Sequence, residues 1–155
     1  MKKIGISLLC VMMLSLVACS QKKEYKRDTS EGEYIELSYK EMKEKVKSGD
    51  TFIALISQTA CEHCQTYKKE VLKPYLKKHH LEIYELNITN EENPQETFTD
   101  VQNYINKLTD DEDMHFFGTP YTFVIDNGKL KEGFSGALDK DQLDDVVTDY
   151  QLDAK

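Results

Sequence analysis

The pattern of apolar and polar positions divides residues 33–150 into alternating strands and helices. Apolar residues that are continuous or that occupy every second position predict five strands, at residues 34–37, 51–57, 81–88, 121–126 and 129–134. Apolar residues spaced three and four apart predict four helices, at residues 38–46, from 61 past 76, from about 95 to 108 and from 139 to 150. The predicted order is strand, helix, strand, helix, strand, helix, hairpin, helix.

Short polar motifs mark several boundaries between these elements. Ser38 opens a sequence typical of a helix capping box, and Gly49 fits the C′ position after the same helix. The dipeptide Asn127-Gly128 lies between two strands and predicts a type I′ hairpin. Pro74 lies inside the second helical pattern and predicts a kink or a break, because proline cannot donate the hydrogen bond of a helix interior.

The first 18 residues have the pattern of a secretory signal peptide. Two lysines precede an apolar run, residues 4–17, that is too short to span a bilayer as a mature helix. The run ends in Leu16-Val17-Ala18-Cys19, which resembles the lipobox of bacterial lipoproteins. The resemblance implies cleavage just before Cys19 and attachment of a diacylglycerol to its thiol. The alternative is an ordinary signal peptide that leaves a free thiol.

A polar segment separates this signal from the folded part of the chain. It is rich in charged residues and free of β-branched apolar residues, which predicts a flexible tether. The expected organisation is a lipoprotein signal peptide at 1–18, a flexible tether at 19–32 and one domain at 33–155.

The formal net charge of the chain is −8 at pH 7. Loss of residues 1–18 would remove two lysines and no acidic residue, which changes the charge from −8 to −10. An acidic domain without a basic patch argues against nucleic acid as a partner and against binding of anionic lipid by the protein surface. The expected membrane contact is therefore the lipid anchor at Cys19.

Two cysteines, Cys61 and Cys64, lie where a buried strand meets the start of a helix. Unpaired N–H groups and the helix dipole at such a position stabilise a thiolate and lower its pKa, so Cys61 is the expected nucleophile. Cys64, one turn further along, can reach back and close a disulfide. Cys10 would leave with the signal peptide and Cys19 would carry lipid, so only this pair would remain as thiols.

The same spacing of cysteines also occurs in half of a zinc site. His79 and His80 are the available partners, but adjacent histidines on one segment rarely both reach one metal, so we expect neither a metal nor another cofactor. The two adjacent phenylalanines at 116–117 are more typical of residues that line a core or a groove than of residues with a chemical role.

The chain resembles proteins of the thioredoxin fold over roughly residues 33–150. The resemblance rests on three segments, Cys61-Glu62-His63-Cys64, Glu85-Leu86-Asn87-Ile88 and Gly118-Thr119-Pro120-Tyr121-Thr122-Phe123-Val124. It implies an α/β, thioredoxin-like fold with a central mixed sheet flanked by helices. It also implies that Pro120 is cis and lies against the active-site disulfide, with Gly118 and Thr119 at the site where an extended substrate peptide adds as a strand.

Four positions depart from thioredoxin itself. Ala60 replaces the tryptophan before the first cysteine, and Leu55 replaces the buried aspartate that serves proton transfer. Glu85 replaces the lysine of the third strand and is interpreted either as a proton acceptor from that strand or as an ordinary strand residue. The dipeptide between the cysteines is Glu62-His63. With the signal peptide, these changes make the chain similar to exported thiol-disulfide proteins of Gram-positive bacteria, including bacteriocin-transport accessory proteins.

The two residues between the cysteines are expected to shift the redox potential in opposite directions. A protonated His63 would stabilise the Cys61 thiolate and make the disulfide a stronger oxidant, whereas Glu62 would oppose this by repulsion. The potential should lie between about −270 mV, as in thioredoxin, and about −120 mV, as in the strongest periplasmic oxidants. The direction of electron flow stays open.

Two functions are compatible with the sequence. The first is a membrane-anchored, extracytoplasmic thiol-disulfide oxidoreductase that exchanges disulfides with exported cysteine-containing proteins or peptides and is recycled by a membrane redox partner. The second is a binding or accessory module that uses the groove at Thr119 and Pro120 to hold a secreted peptide or a transporter, with little turnover. In both cases we expect a monomer.

Overall fold

The computed structural model describes residues 24–155 and places five strands in one mixed sheet. The strands are β1 (Glu33–Glu36), β2 (Phe52–Ser57), β3 (Glu82–Asn87), β4 (Tyr121–Asp126) and β5 (Lys129–Ser135). Their order across the sheet is β1-β3-β2-β4-β5, with β1, β3 and β2 parallel and with β4 and β5 added antiparallel. The predicted strands and the predicted mixed sheet are therefore confirmed.

Helices cover both faces of the sheet. They are α1 (Tyr39–Lys47), α2 (Glu62–Tyr67), α3 (Lys73–Leu76), α4 (Pro94–Ile105) and α5 (Lys140–Asp149). A π-helical turn, Lys68–Leu72, joins α2 to α3, and single 3-10 turns form at Ile88–Asn90 and Glu112–Met114. Within residues 24–155, none of the helices combines the length and the apolar character needed to cross a membrane.

Strand β2 lies in the middle of the sheet between two apolar layers. Its even-numbered residues, such as Ala54, contribute to the layer packed with α1 and α4, and Ile53 and Leu55 contribute to the layer packed with α2, α3 and α5. Successive side chains of a strand point to opposite faces, so a strand covered on both faces is buried along its whole length. All six residues of β2 are buried, which fixes the point at which the chain leaves the sheet toward Cys61.

The predicted caps and turns are present. The Ser38 hydroxyl accepts a hydrogen bond from the Glu41 N–H and the Ser38 N–H donates to the Glu41 carboxylate, which confirms the capping box. Gly49 follows the end of α1 with a φ of +84°. Asn127 and Gly128 have φ values of +51° and +74°, as a type I′ turn requires.

Pro74 is accommodated by a wider helical turn. The preceding turn, Lys68–Leu72, is π-helical, and the Lys73 N–H donates to the Lys68 carbonyl. Proline has no N–H, and in an α-helix its ring would clash with the carbonyl group four residues earlier. A π turn contains one more residue than an α-helical turn, which makes room for the ring. The predicted irregularity at Pro74 therefore takes the form of a π turn, and the helical segment continues into α3.

The two ends of the described chain meet around a buried carboxylate. We call this cluster the Asp153 clasp, and it comprises Tyr25, Arg27, His79, Asp144 and Asp153. Asp153 is 1% exposed. Its Oδ2 accepts a hydrogen bond from Arg27 Nε at 2.8 Å and lies 3.0 Å from His79 Nδ1, and the Tyr25 hydroxyl donates to its Oδ1. Arg27 also contacts Asp144 Oδ1 at 2.8 Å, so one guanidinium bridges two carboxylates.

The clasp keeps both of its carboxylates ionised. Burial alone would raise the pKa of Asp153, but hydrogen bonds from Tyr25, Arg27 and His79 outweigh burial and hold that pKa below its ordinary value. The hydrogen bond from Arg27, supported by one from Tyr75, lowers the pKa of Asp144. Folding therefore favours the charged form of each acid.

Part of the segment predicted as a tether lies against the domain. The Asp28 N–H donates to the Asp153 carbonyl at 2.7 Å, and the Gly32 N–H donates to the Leu76 carbonyl at 2.8 Å. Residues 24–32 are therefore held by the clasp and by backbone hydrogen bonds. The predicted signal peptide, Cys19 and the rest of the predicted tether lie outside the described residues.

Candidate active site

Cys61 and Cys64 form a disulfide where the chain passes from β2 into α2. Their Cα atoms are 5.2 Å apart. Cys61 is the N-cap residue of α2 and is half-buried, whereas Cys64 lies in the first turn and is fully buried. An incoming sulfur atom can therefore reach Cys61 more easily than Cys64.

The backbone at the start of α2 favours negative charge on the Cys61 sulfur. The Cys64 N–H points at Cys61 Sγ across 3.1 Å, which is the position of a side-chain acceptor at a helix N-cap. In the reduced protein the same donor, together with the other first-turn N–H groups, stabilises a thiolate on Cys61. The geometry therefore suits Cys61 as the nucleophile and Cys64 as the resolving cysteine.

A second loop forms the other wall of the site. The peptide bond between Thr119 and Pro120 is cis, as predicted, and the Thr119 carbonyl oxygen lies 3.5 Å from Cys61 Sγ. Thr119 Oγ1 donates to Gln58 Oε1 at 3.2 Å, and the Gly136 N–H donates to the Pro120 carbonyl at 2.9 Å. The loop is thus fixed against the disulfide by contacts on both of its sides.

Comparison with known families agrees with this arrangement. A family model described as a thioredoxin-like domain matches residues 38–151. The chain belongs to the thioredoxin-like domain family. The match includes both cysteines of the disulfide, the cis-proline loop and every strand except β1. The search of curated proteins found no match.

Solved thioredoxins have the same fold as this thioredoxin-like domain. A mutant thioredoxin from Halobacterium salinarum NRC-1 matches with a TM-score of 0.55 and 16% identity, over 79% of this chain and 95% of that one. Thioredoxin f2 from Chlamydomonas reinhardtii matches with a TM-score of 0.55 and 12% identity, over 77% of this chain and 97% of that one. The thioredoxin of Malassezia sympodialis matches with a TM-score of 0.52 and 15% identity, over 81% of this chain and 94% of that one. These similarities confirm the predicted fold.

This thioredoxin-like domain has a buried carboxylate on the face of the sheet covered by the redox helix, the name used here for α2 together with the π turn that follows it (residues 62–72). Glu85 on β3 is 8% exposed, and its Oε1 accepts hydrogen bonds from Ser57 Oγ at 2.6 Å and from Lys68 Nζ at 2.7 Å. Lys68 follows Cys64 by one helical turn, and its backbone N–H donates to the Cys64 carbonyl. The ion pair between Lys68 and Glu85 therefore connects β3 to the redox helix next to the buried cysteine.

The position of Glu85 relative to Leu55 explains how this acid reaches the redox helix. Leu55 stands where the resemblance places a buried aspartate, and it is the register partner of Glu85 across the parallel strands β2 and β3. Register partners in a sheet point to the same face, so both side chains lie on the face covered by α2. The structure thus places the carboxylate of Glu85 on β3, one strand away from position 55 on β2, where the resemblance places the buried aspartate.

An open pocket of about 320 Å³ borders the ion pair. Its lining residues are Tyr34, Gln65, Lys68, Lys69, Lys73 and Glu85. The Tyr34 hydroxyl is buried and has no hydrogen-bond partner among residues 24–155. Burial, with the nearby charge of Glu85, raises the pKa of Tyr34 far above its ordinary value. Glu85 therefore faces the buried Ser57 on one side and a pocket that opens to solvent on the other.

The other predicted site residues lie close to the disulfide by sequence and are open to solvent. Glu62 and His63 are exposed in the first turn of α2, and neither side chain has a hydrogen bond or an ion pair with the residues that the structure describes. Gly118 precedes Thr119, and a Cβ added to it would meet no atom within 4 Å. The space beside the cis-proline loop is thus open.

The two histidines considered as zinc ligands have other contacts. His79 belongs to the Asp153 clasp, and His80 Nδ1 lies 3.2 Å from the Glu31 carbonyl oxygen. In the described part of the chain, no group of three or more His, Cys, Asp or Glu side chains could hold a metal ion.

Two residues of the site, Lys68 and Ser57, are not apparent from the sequence pattern. Lys68 is a polar residue next to the apolar face of its helix and looks like part of a solvated surface. Its spacing of four from Cys64 is the signal that could have revealed it, because residues four apart lie on the same helix face. Ser57 ends an apolar strand two residues after Leu55 and therefore points to the same face of the sheet as Leu55 and Glu85.

Proposed function

We propose that this protein is an extracytoplasmic thiol-disulfide oxidoreductase that is anchored to the cell membrane through Cys19. In this proposal it acts as a monomer on exported proteins or peptides that contain cysteine. One observation carries the proposal: a half-buried Cys61, disulfide-bonded to a fully buried Cys64, lies 3.5 Å from the carbonyl oxygen of the residue before a cis-proline. Membership of the thioredoxin-like family supports a redox role for this pair.

The exchange proceeds in two steps that conserve atoms and electrons. In the reducing direction, the Cys61 thiolate attacks one sulfur of a client disulfide, forms a mixed disulfide and releases the second client sulfur as a thiolate. The Cys64 thiolate then attacks Cys61 Sγ, which forms the internal disulfide and releases the client as a dithiol. The same steps run in reverse when the protein oxidises a client dithiol.

Glu85 has the proposed role of proton acceptor for Cys64. The buried Cys64 thiol must lose its proton before it attacks, and a carboxylate on the face of the sheet beneath its helix can take that proton. Lys68 and Ser57 hold the carboxylate in place through hydrogen bonds to Oε1. The pocket bordered by Tyr34 gives Glu85 a path along which the proton can pass to water.

The proposed location rests on the sequence of residues 1–32. The signal peptide and the lipobox-like segment that ends at Cys19 support export and lipidation. A redox partner in the membrane would then recycle the pair, because each exchange with a client leaves Cys61 and Cys64 in the opposite oxidation state. A secreted peptide of the bacteriocin type is one client that fits the resemblance to exported thiol-disulfide proteins.

The equilibrium reduction potential of the full-length protein in glutathione buffers tests the redox role. A potential of about −120 to −180 mV favours an oxidase or isomerase, and one of about −270 mV favours a reductant fed by a membrane electron carrier. A protein without a reversible couple between Cys61 and Cys64 would contradict the proposal. If the protein is an oxidoreductase, replacement of both Cys61 and Cys64 by serine should abolish its function in cells. If it is a binding module, the double variant should still function like the wild type.

Labelling cells with radioactive palmitate tests the location. The wild-type protein should carry label in the membrane fraction, and Cys19→Ala should carry none. Cys10→Ala is the matched control and should be labelled like the wild type, because residue 10 lies inside the predicted signal peptide. Equal labelling of the wild type and Cys19→Ala would refute lipidation at Cys19.

A further inference from the structure

Phe117 is the large apolar side chain that the described chain leaves in water. It is 65% exposed, and the other large apolar side chains of residues 24–155 are buried or half-buried. Single exposed apolar residues are common on protein surfaces and need no explanation by themselves. The position of Phe117 beside the redox site is what gives its exposure significance.

The fold fixes the outward direction of Phe117. Its neighbour Phe116 is fully buried, with its ring centroid 5.1 Å from that of Phe98 and 5.4 Å from that of Tyr121. The Phe116 N–H donates to Asn106 Oδ1 at 2.7 Å, and Gln102 Nε2 donates to the Phe116 carbonyl at 3.1 Å. The side chain and both backbone groups of Phe116 are bound to the interior, whereas the side chain of Phe117 points into solvent.

Only one residue, Gly118, separates Phe117 from Thr119. Two residues of chain span at most about 7 Å, and the Thr119 carbonyl oxygen is 3.5 Å from Cys61 Sγ. The direction in which a Cβ of Gly118 would point is open space. Phe117 therefore lies on the loop that contacts Cys61, two residues from the point of contact, and its exposed ring borders the open side of that loop.

We propose that Phe117 binds an apolar side chain of the client close to the reacting cysteine, and so selects extended, incompletely folded chains in which such residues are still exposed. This inference rests on the proposed oxidoreductase function and identifies the kind of client. Contact with an apolar client side chain removes both surfaces from water, which strengthens binding. A polar segment gains nothing from the same contact.

A client polypeptide fits this site better than a second copy of the protein. Each copy has a formal net charge of −8, and two like-charged surfaces repel each other at low ionic strength. The apolar surface also extends over one side chain rather than over an area that would hold a stable dimer. A disulfide bond to Cys61 supplies most of the attachment for a client, so that one additional apolar contact is enough to change the rate.

The test compares two client peptides with the full-length reduced protein. Both are glutathione mixed disulfides of a glycine-rich heptapeptide with a central cysteine, and they differ only in having leucine or serine two residues to either side of it. The second-order rate constant of each reaction is measured by acid quenching and mass spectrometry, since the protein contains no tryptophan to report by fluorescence. Glutathione disulfide serves as the reference oxidant.

The wild type should react about fivefold faster with the leucine peptide than with the serine peptide, as expected for one apolar pair between an extended client and the protein surface. In Phe117→Ser this ratio should fall to about one, and in Phe117→Leu it should stay near the wild-type value. Each variant is compared with itself, so any change in the reactivity of Cys61 cancels in the ratio.

A ratio near one in the wild type, or a wild-type ratio retained in Phe117→Ser, overturns this inference and leaves the oxidoreductase function intact. Failure of the wild type to react with glutathione disulfide would refute the proposed function itself, and the role of Phe117 with it. The two failures are therefore separate observations in one experiment.

Discussion

Lys68 Nζ lies 2.7 Å from Glu85 Oε1, and this ion pair joins the redox helix to β3 one helical turn after Cys64. The two side chains are 27% and 11% exposed, so water and salt screen the pair much less than they screen a surface ion pair. Removal of one partner would leave the other charge partly buried and uncompensated. We therefore expect the step that involves Cys64 to depend on both residues.

Replacement of Glu85 by Gln should slow the step in which Cys64 resolves the mixed disulfide. Gln keeps the size of the side chain but cannot accept a proton, so we expect a loss of about tenfold or more in the rate of this step at pH 7. The loss should shrink above about pH 9, where hydroxide can remove the thiol proton directly. Single-turnover reduction of a peptide disulfide, followed from pH 6 to pH 10, measures this effect.

Glu82→Gln is the matched control for that experiment. Glu82 lies on the same strand and is exposed, and its carboxylate accepts a hydrogen bond from Tyr84 rather than from the redox helix. It should leave the rate and its pH dependence unchanged. A Glu85→Gln variant with a wild-type profile over the whole range would show that Glu85 is an ordinary strand residue.

Replacement of Cys64 by Ser should trap the mixed disulfide between Cys61 and a client. Cys61 is the more accessible sulfur and faces the Cys64 N–H at 3.1 Å, so it should still attack. Without Cys64 the mixed disulfide lacks the thiol that lies beside Cys61 and would resolve it. Non-reducing electrophoresis and mass spectrometry should find covalent complexes for Cys64→Ser and few for Cys61→Ser. The reverse pattern would assign the nucleophile to Cys64.

Replacement of Asp153 by Asn should destabilise the protein by about 2–4 kcal/mol. The change removes the charge that Arg27 and His79 face inside the protein and leaves Arg27 with Asp144 as its only carboxylate partner in the clasp. Urea unfolding should show a lower midpoint with an unchanged slope. Asp149→Asn, at an exposed position near the end of α5, should shift the midpoint little, and equal shifts in both variants would argue against the clasp.

The same carboxylates should make the protein sensitive to acid. The pKa values of Asp144 and Asp153 lie below their ordinary value of 3.8 in the folded state. Their contribution to the free energy of unfolding is therefore fully present above about pH 4 and is lost as the pH falls through the folded pKa values. The difference between the wild type and Asp153→Asn should shrink between pH 5 and pH 2. A constant difference over that range would contradict the assignment.

Much of the fold could be predicted because local chemistry and the overall architecture agree. The capping box at Ser38 and the turn at Asn127-Gly128 each require particular residues at fixed spacings, and those residues are visible in the sequence. The uniformly apolar β2 predicts a strand covered on both faces. Two cysteines at the end of such a strand then predict the place of the redox pair.

The remaining parts of the site depend on contacts between residues that are far apart in the sequence. The position of Glu85 on β3 makes it a candidate from the sequence, but its partner Lys68 belongs to a helical segment and reaches it through a long side chain. The Asp153 clasp joins Arg27 to a residue 126 positions away. No repeating spacing in the sequence relates Lys68 to Glu85 or Arg27 to Asp153, so neither contact could be predicted from the sequence pattern alone.

The Asp153 clasp also holds residues 24 and 155 at the end of the sheet that lies opposite the disulfide. Cys61 follows the carboxyl end of β2, whereas the clasp lies beside the start of β3, where His79 precedes Glu82. A six-residue strand is about 20 Å long, so roughly that distance separates the two ends of the sheet. Residues 24 and 155 both leave the fold on the clasp side, since the Lys155 N–H donates to the Lys26 carbonyl at 2.9 Å. A bilayer, a bead or a fused protein joined through either position would therefore leave the disulfide directed toward solution.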